Sequence, residues 1–391
     1  MQHGRVLTVT TVLTVLTVLT ARTLEAQGFV VTLGKDTVAL ERATRSPGRL
    51  EGDLFTVAPR TRRIHYVATL DARGYVTRFE LTSTPAVELP PAATIRLIEE
   101  VQDTLVTIIR TQSTAQVTRT DTTRFRVHPG AVPFVGLSTA LLEQLTLQAR
   151  KDGRDSVAIE TIVAGQRQAT PNYVARRVRD SVAIDYFGLP FYLRVDGRGQ
   201  VLGLNGMRTT QKFLASRVPK LDLEAAAAPF IARERNGQVA GQLSPRDTAR
   251  ATIGAAAVLV DYGRPSKRGR TILGSVVPFD SVWRTGANAA TQFSTSTDLL
   301  VGETVIPAGK YTLWTLPTPT GVKLIVNQQT GQWGTDYNPA KDLLRLDLKM
   351  EPLPGTVEQF TIAVIDLGGA GELRFDWDRT RWILPFRIRA P

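Results

Sequence analysis

The stretch Trp283-Arg284-Thr285-Gly286-Ala287-Asn288 places side chains of three chemistries within one short segment. An indole offers a flat apolar face, a guanidinium offers donors in a fixed fork, and an asparagine amide offers both a donor and an acceptor. Joined by Trp333 and Tyr337 from a later loop, this set is equipped to stack on a sugar ring and to bond its hydroxyls or a carboxylate. The same residues also have a plainer and commoner use, with Trp283 as a core plug and Arg284 and Asn288 satisfying loop backbone groups. A second cluster, Arg264, Lys267, Arg268 and Arg270, surrounds Pro265 and Gly269. Converging charges there would seat an anion or a phosphate, whereas a solvated turn is the ordinary outcome, and no strand-to-helix Gly-rich context makes it a nucleotide loop. The ligand-binding candidates are therefore Arg264, Arg270, Trp283, Arg284, Asn288, Trp333 and Tyr337.

Other chemistries are excluded or weakly supported. The chain has no cysteine, which removes thiolate zinc sites, iron–sulfur clusters, a cysteine nucleophile and disulfide staples. His3 belongs to the N-terminal segment and His65 and His128 to the first half. The second half, having no histidine, holds no Ser–His–Asp triad, HExxH site or His-rich metal site. His65, mid-strand, and His128, before Pro129-Gly130, read as structural. Asp376 and Asp378 lie two apart on an expected strand, about 6.8 Å along one face, which suits an inverting glycosidase pair. Leu373, Phe375 and Trp377 alternate with them, so a solvated strand rim is the better reading. No catalytic residue, metal ligand or cofactor is assigned.

These candidates need elements to position them, and the first element concerns location. Arg5 precedes a fifteen-residue run of Val, Leu and Thr from Val6 to Thr20, followed by Ala21 to Gln27. The order is that of a signal peptide, residues 1–26 with cleavage after Ala26, and the apolar run is too short for a bilayer core needing roughly 20 residues. No later stretch is apolar enough to span, so the mature chain is expected to be exported and soluble, periplasmic or extracellular. The net charge of +12 comes from 48 Lys and Arg against 36 Asp and Glu, with the surplus mainly in the first half. Arginine outnumbers lysine 39 to 9, but the arginines are scattered singly along strands, unlike a phosphate-tracking groove. Nucleic acid is not an expected partner; non-specific adhesion to an anionic envelope polymer is.

The pattern predicts a mostly β chain: a curved antiparallel sheet with a flanking helix over 27–217, a helical joint over 218–243 and a β-sandwich over 244–391. Hairpin turns recur at Asp71-Ala72-Arg73-Gly74 and Asp196-Gly197-Arg198-Gly199, each with glycine where a left-handed backbone is needed. Arg154 to Ile159 is echoed by Arg179 to Ile184. One helix interrupts the first half, with Ser138 as N-cap, Leu141, Leu142 and Leu145 at helical spacing, and Lys151-Asp152-Gly153 closing it. A second, from Asp222 through the alanines 225–228, contains Pro229 and ends at Asn236-Gly237. Beyond it, strands are expected at 252–262, 311–316, 322–326, 344–349, 357–365, 372–376 and 382–388.

Several stretches of the second half carry a family likeness: Ser244-Pro245, Tyr262-Gly263-Arg264-Pro265, Arg268-Gly269-Arg270, Val282 to Asn288 with Thr291, Pro307 to Tyr311, Trp333-Gly334 with Tyr337, and Asp342 with Arg345. Together, from Ser244 to about Ile388, they resemble the uncharacterised bacterial secreted family known as domain of unknown function 2911. Ala289 departs from its pattern, in which an acidic residue commonly follows the asparagine. The resemblance implies a compact, mostly β domain of exported proteins and brings no activity and no site residues. The first half resembles in outline the curved sheets of envelope carrier and chaperone-like proteins.

The resulting expectation is an exported bacterial envelope protein that binds a ligand or partner without catalysis: a glycan, an anionic polymer or another envelope protein. One alternative is a carbohydrate-active hydrolase using Asp or Glu, which needs a convergent acid pair in a cleft near Trp283 or Trp333. Another is a periplasmic carrier or chaperone, which needs an apolar groove between the first sheet and the helix at 138–150.

Overall fold

Alternating residues with turn signals between them give two antiparallel-rich sheets, one in each half of the chain. The computed structural model describes residues 27–389 apart from 91, 179, 187 and 188; the signal segment assigned to residues 1–26 lies outside them. The first sheet has fifteen strands among the described residues, from Gln27–Leu33 to Leu214–Val218. One meander runs outward in chain order to an edge at Thr118–Arg126. The chain then crosses to the other edge at Val132–Phe134, which pairs in parallel with Ser156–Val163, and meanders back. The meanders meet where Gly28 opposes Val218 and Phe29 opposes Arg217.

Helix α1, Thr139–Asp152, forms as its capping signals predict: Ser138 accepts from Leu141 N at 3.2 Å and Gly153 is left-handed at φ 77°. Its residues Ala140, Leu141, Leu145 and Ala149 are buried in one core with both meanders. Two carboxylates fix it. Glu41, fully buried, accepts from Ser138 Oγ at 2.5 Å, Thr139 N at 2.7 Å, Ala140 N at 3.0 Å and Tyr66 Oη at 2.7 Å. Burial pushes the Glu41 carboxyl above its ordinary pKa, while these donors at a helix N-terminus oppose that shift. Glu143 accepts from Val201 N at 2.7 Å and from Arg217 at 2.7 Å. The two echoing hairpins grip the same helix from either side, Gly74 O accepting from Gln144 at 2.8 Å and Gly199 O from Thr146 Oγ1 at 3.3 Å. Helix α1 covers much of the concave face, and a cavity of about 310 Å³ remains between its end and the sheet, lined by Ala149, Val174, Val182 and Val195 together with Arg150, Arg154 and Arg176.

Helix α2, Leu223–Arg235, starts at Asp222, whose side chain accepts from Ala225 N at 3.0 Å, and continues through Pro229. It is more than a joint. Leu223, Ala227 and Ile231 pack with Leu40 and Phe55, whose neighbours Ala39 and Leu54 face the other way, toward α1. Glu234 near its end accepts from Thr61 N at 2.7 Å and Thr61 Oγ1 at 2.6 Å, so the back of the sheet is pinned to this helix.

The second sheet has nine antiparallel strands among the described residues and bends over on itself in sandwich fashion. Its early strand Ala256–Gly263 lies against the far part of Asp342–Asp366, where Tyr262 Oη accepts from Ile362 N at 2.9 Å. Four of the expected strands, 344–349 with 357–365 and 372–376 with 382–388, are joined into two long ones, Asp342–Asp366 and Ala370–Ile388. Pro352, Pro354 and Gly355 fall in the first of these, where the pairing register shifts but the chain does not reverse. The two sheets touch along a seam where Lys35 N donates to Arg268 O at 3.0 Å, Arg268 pairs with Asp36 at 2.5 Å and Gly241 N donates to Pro59 O at 2.9 Å. No helix among the described residues is long and apolar enough to cross a membrane.

Candidate anion site

The loop from Asp280 to Ala290 carries three non-glycine residues in the left-handed region, Asp280, Thr285 and Asn288, at φ 56°, 51° and 63°. For a β-branched threonine this is an outlier that the surrounding contacts must hold. Trp283 exchanges backbone hydrogen bonds of 2.8 Å with Thr315, and Thr291 Oγ1 donates to Thr285 O at 2.7 Å. Gly263 and Gly286 let the loop lie against the end of Ala256–Gly263, since a Cβ on Gly263 would come within 2.1 Å of Ala287 O.

Successive residues of this loop have opposite fates. The Trp283 indole enters the core, stacked on Trp377 at 5.7 Å and 17° and set edge-on to Phe360 and Trp382. Only 8% exposed, it has no face free for a sugar. Arg284 is 9% exposed, and its Nε and Nη1 are buried without a hydrogen-bond partner among the described residues. Burial alone pushes the guanidinium down to about 10, and no carboxylate offsets that. Its aliphatic stem crosses Gly334.

The remaining candidates separate. Asn288 has an exposed side chain, and its carbonyl accepts from Gly334 N at 3.0 Å. Trp333 is half exposed beside this turn, its backbone bridged to Ala289. Tyr337 donates to Asp342 Oδ2 at 2.6 Å and accepts from Arg345 at 3.1 Å, with its ring 5.0 Å from that of Trp314. Burial and the Asp342 carboxylate push its phenol up to about 12. Arg264 is fully engaged by Phe360 O at 3.2 Å, Asp247 at 2.9 Å and Thr361 Oγ1 at 2.9 Å. Arg270 braces its own turn through Lys267 O at 2.9 Å and Ser266 O at 2.5 Å.

One further basic residue with a perturbed charge had no signal in the sequence. Lys212 follows the last turn of the first sheet, with φ 56° and its Nζ donating to Met207 O at 3.0 Å. It is half-buried, and burial, with lesser repulsion from the charges of Arg284 and Arg270, lowers it to about 8. Arg270, unlike Arg284, has its charge partly offset by the carboxylates of Glu358 and Asp36.

Elsewhere, the two aspartates of the expected acid pair are engaged by cations. Arg381 grips Asp376 in bidentate fashion at 2.8 and 2.6 Å, and Lys267 pairs with Asp378 at 2.7 Å. His65 pairs with Asp53 at 2.9 Å and His128 with Glu160 at 2.8 Å on the surface. No cluster of potential metal ligands occurs among the described residues.

Residues 244–386 match the family described as protein of unknown function, DUF2911, as the motifs of the second half imply. No curated protein matches the sequence. Among solved structures, a DUF1089 family protein from Pseudomonas aeruginosa is similar at 12% identity and a TM-score of 0.32, over 44% of this chain and 90% of that one. A beta-barrel-like protein of domain of unknown function DUF1849 from Brucella abortus is similar at 12% identity and a TM-score of 0.30, over 49% and 92%.

Proposed function

We propose that this chain is an exported binding protein of the bacterial envelope whose second half takes a small oxyanion at Arg284. The observation that carries this reading is the buried guanidinium with two N–H groups unpaired. An uncompensated buried cation costs several kcal/mol, and a carboxylate or phosphate oxygen relieves the cost with charge-assisted hydrogen bonds. The pattern of residues 1–26 and the secreted character of the resembling family support export. Binding is favoured over hydrolysis because Asp376 and Asp378 are each held by a cation, and while Asp378 lines a cleft beside Trp377 and Trp382, Asp376 does not join it there. It is favoured over a carrier role because the cavity between α1 and the first sheet is lined by Arg150, Arg154, Arg176 and Asp196 as well as by apolar side chains.

Thermal unfolding of the purified chain with inorganic phosphate, sulfate and malonate tests the reading. A ligand that binds only the folded state raises the midpoint with its concentration. At least one of these anions is expected to do so, and Arg284→Gln to abolish the rise. A flat response to all three overturns the reading, as would turnover of a glycan or ester that is lost on mutating an Asp or Glu.

A further inference from the structure

The two long strands of the second half pair irregularly where Val357 faces Asp378 and Thr361 faces Asp376, so Asp342–Asp366 carries more chain through this stretch than its partner and bulges. Asp378 takes a left-handed backbone there, at φ 55°. Beside it lies a cavity of about 210 Å³ whose walls are the buried rings of Phe360, Phe375, Trp377 and Trp382, with Ile272 and Leu273 from the loop that follows Arg270. Apolar cavities of about 150 Å³ stay dry and take up benzene, so this one has room for a benzene ring and a small substituent. Its walls offer one unused donor: Trp377 Nε1 donates to Glu358 O at 3.2 Å, whereas Trp382 Nε1 is buried without a partner among the described residues. A buried donor left in that state is rare and costly, and an occupant's oxygen relieves it. Asp378 also lines the cavity, but Lys267 at 2.7 Å neutralises it. Its neighbour Arg379 lines the same cavity, is exposed, and has no hydrogen bond or ion pair among the described residues, which leaves the rim with a net positive charge.

We propose that this cavity binds a small aromatic carboxylate, its ring among the four aromatic side chains and its carboxylate at the rim beside Arg379. Aromatic rings packed offset or edge-on gain more than the area they bury, and a guanidinium holds a carboxylate through two parallel hydrogen bonds. The Trp382 N–H is available to one of the ligand's oxygens. A sugar fits poorly, because most of its hydroxyls would be buried against rings that offer them no partner. The proposal does not depend on the anion reading of Arg284, since the two sites use different side chains.

Titration of the full purified chain with benzoate, benzyl alcohol and glucose, followed by tryptophan fluorescence and by the thermal unfolding midpoint, tests this. Both ring compounds should change the emission and raise the midpoint, benzoate binding about fivefold more tightly, the scale of one exposed ion pair. Glucose should do neither. Arg379→Gln, at an exposed position, should bring benzoate down to the level of benzyl alcohol and leave benzyl alcohol as in the parent. Leu273→Phe, which places a ring in the cavity, should abolish the binding of both while the circular dichroism stays parental. No response to either ring compound, equal affinity of the parent for the two, a response to glucose instead, or undiminished binding in a folded Leu273→Phe variant overturns the proposal. The same titrations in Arg284→Gln separate the cavity from the anion site, and loss of both ring compounds there would place them at Arg284 and overturn it as well.

Discussion

The side chain of Arg284 lies across the Cα of Gly334 so closely that a Cβ at position 334 would come within 2.2 Å of Arg284 Cδ and 2.4 Å of Asn288 O. The second contact is backbone and cannot swing aside. Gly334→Ala should therefore push the two loops apart and destabilise the fold by about 1–3 kcal/mol, the ordinary cost of overpacking. The displaced guanidinium should also bind phosphate more weakly. Urea unfolding and titration of the same variant check both effects; an alanine variant with parental stability and affinity would show that Arg284 rests on some other support.

What the sequence made legible was local. Ser138 and Gly153 mark both ends of α1 because capping is settled within a few residues, and Asp71 and Asp196 mark hairpins for the same reason. The Trp-Arg-Asn stretch drew attention correctly, but whether Trp283 or Trp333 faces solvent depends on packing over Phe360 and Trp377, which lie far along the chain. Lys212 was illegible, since its loop has an ordinary composition and its burial depends on tertiary packing. The four expected strands are two long ones because a strand can run on through a stretch of irregular pairing, as between Pro352 and Thr361, and local pattern does not tell such a stretch from a turn.

The two tryptophans should respond oppositely. Trp283→Ala empties a stacked position between Trp377 and Phe360 and should cost about 3–5 kcal/mol. Trp333→Ala, at a side chain 49% exposed, should stay within about 0.5 kcal/mol of the parent. Denaturant midpoints measured side by side decide this, and equal costs would contradict the burial found here.

Glu99 gives the first sheet a pH-dependent weakness. It is 1% exposed, Phe79 and Ile108 are its partners across the sheet, and one carboxyl oxygen is buried without a hydrogen bond. Burial raises its pKa from 4.5 to about 8. Between those values the unfolded chain releases the proton while the folded chain keeps it, so this group lowers stability as pH rises, by roughly 1.4 kcal/mol per unit. Glu99→Gln removes that dependence. Its midpoint relative to the parent should climb between pH 5 and pH 8 and then level off, and a difference that stays constant across that range would rule the assignment out.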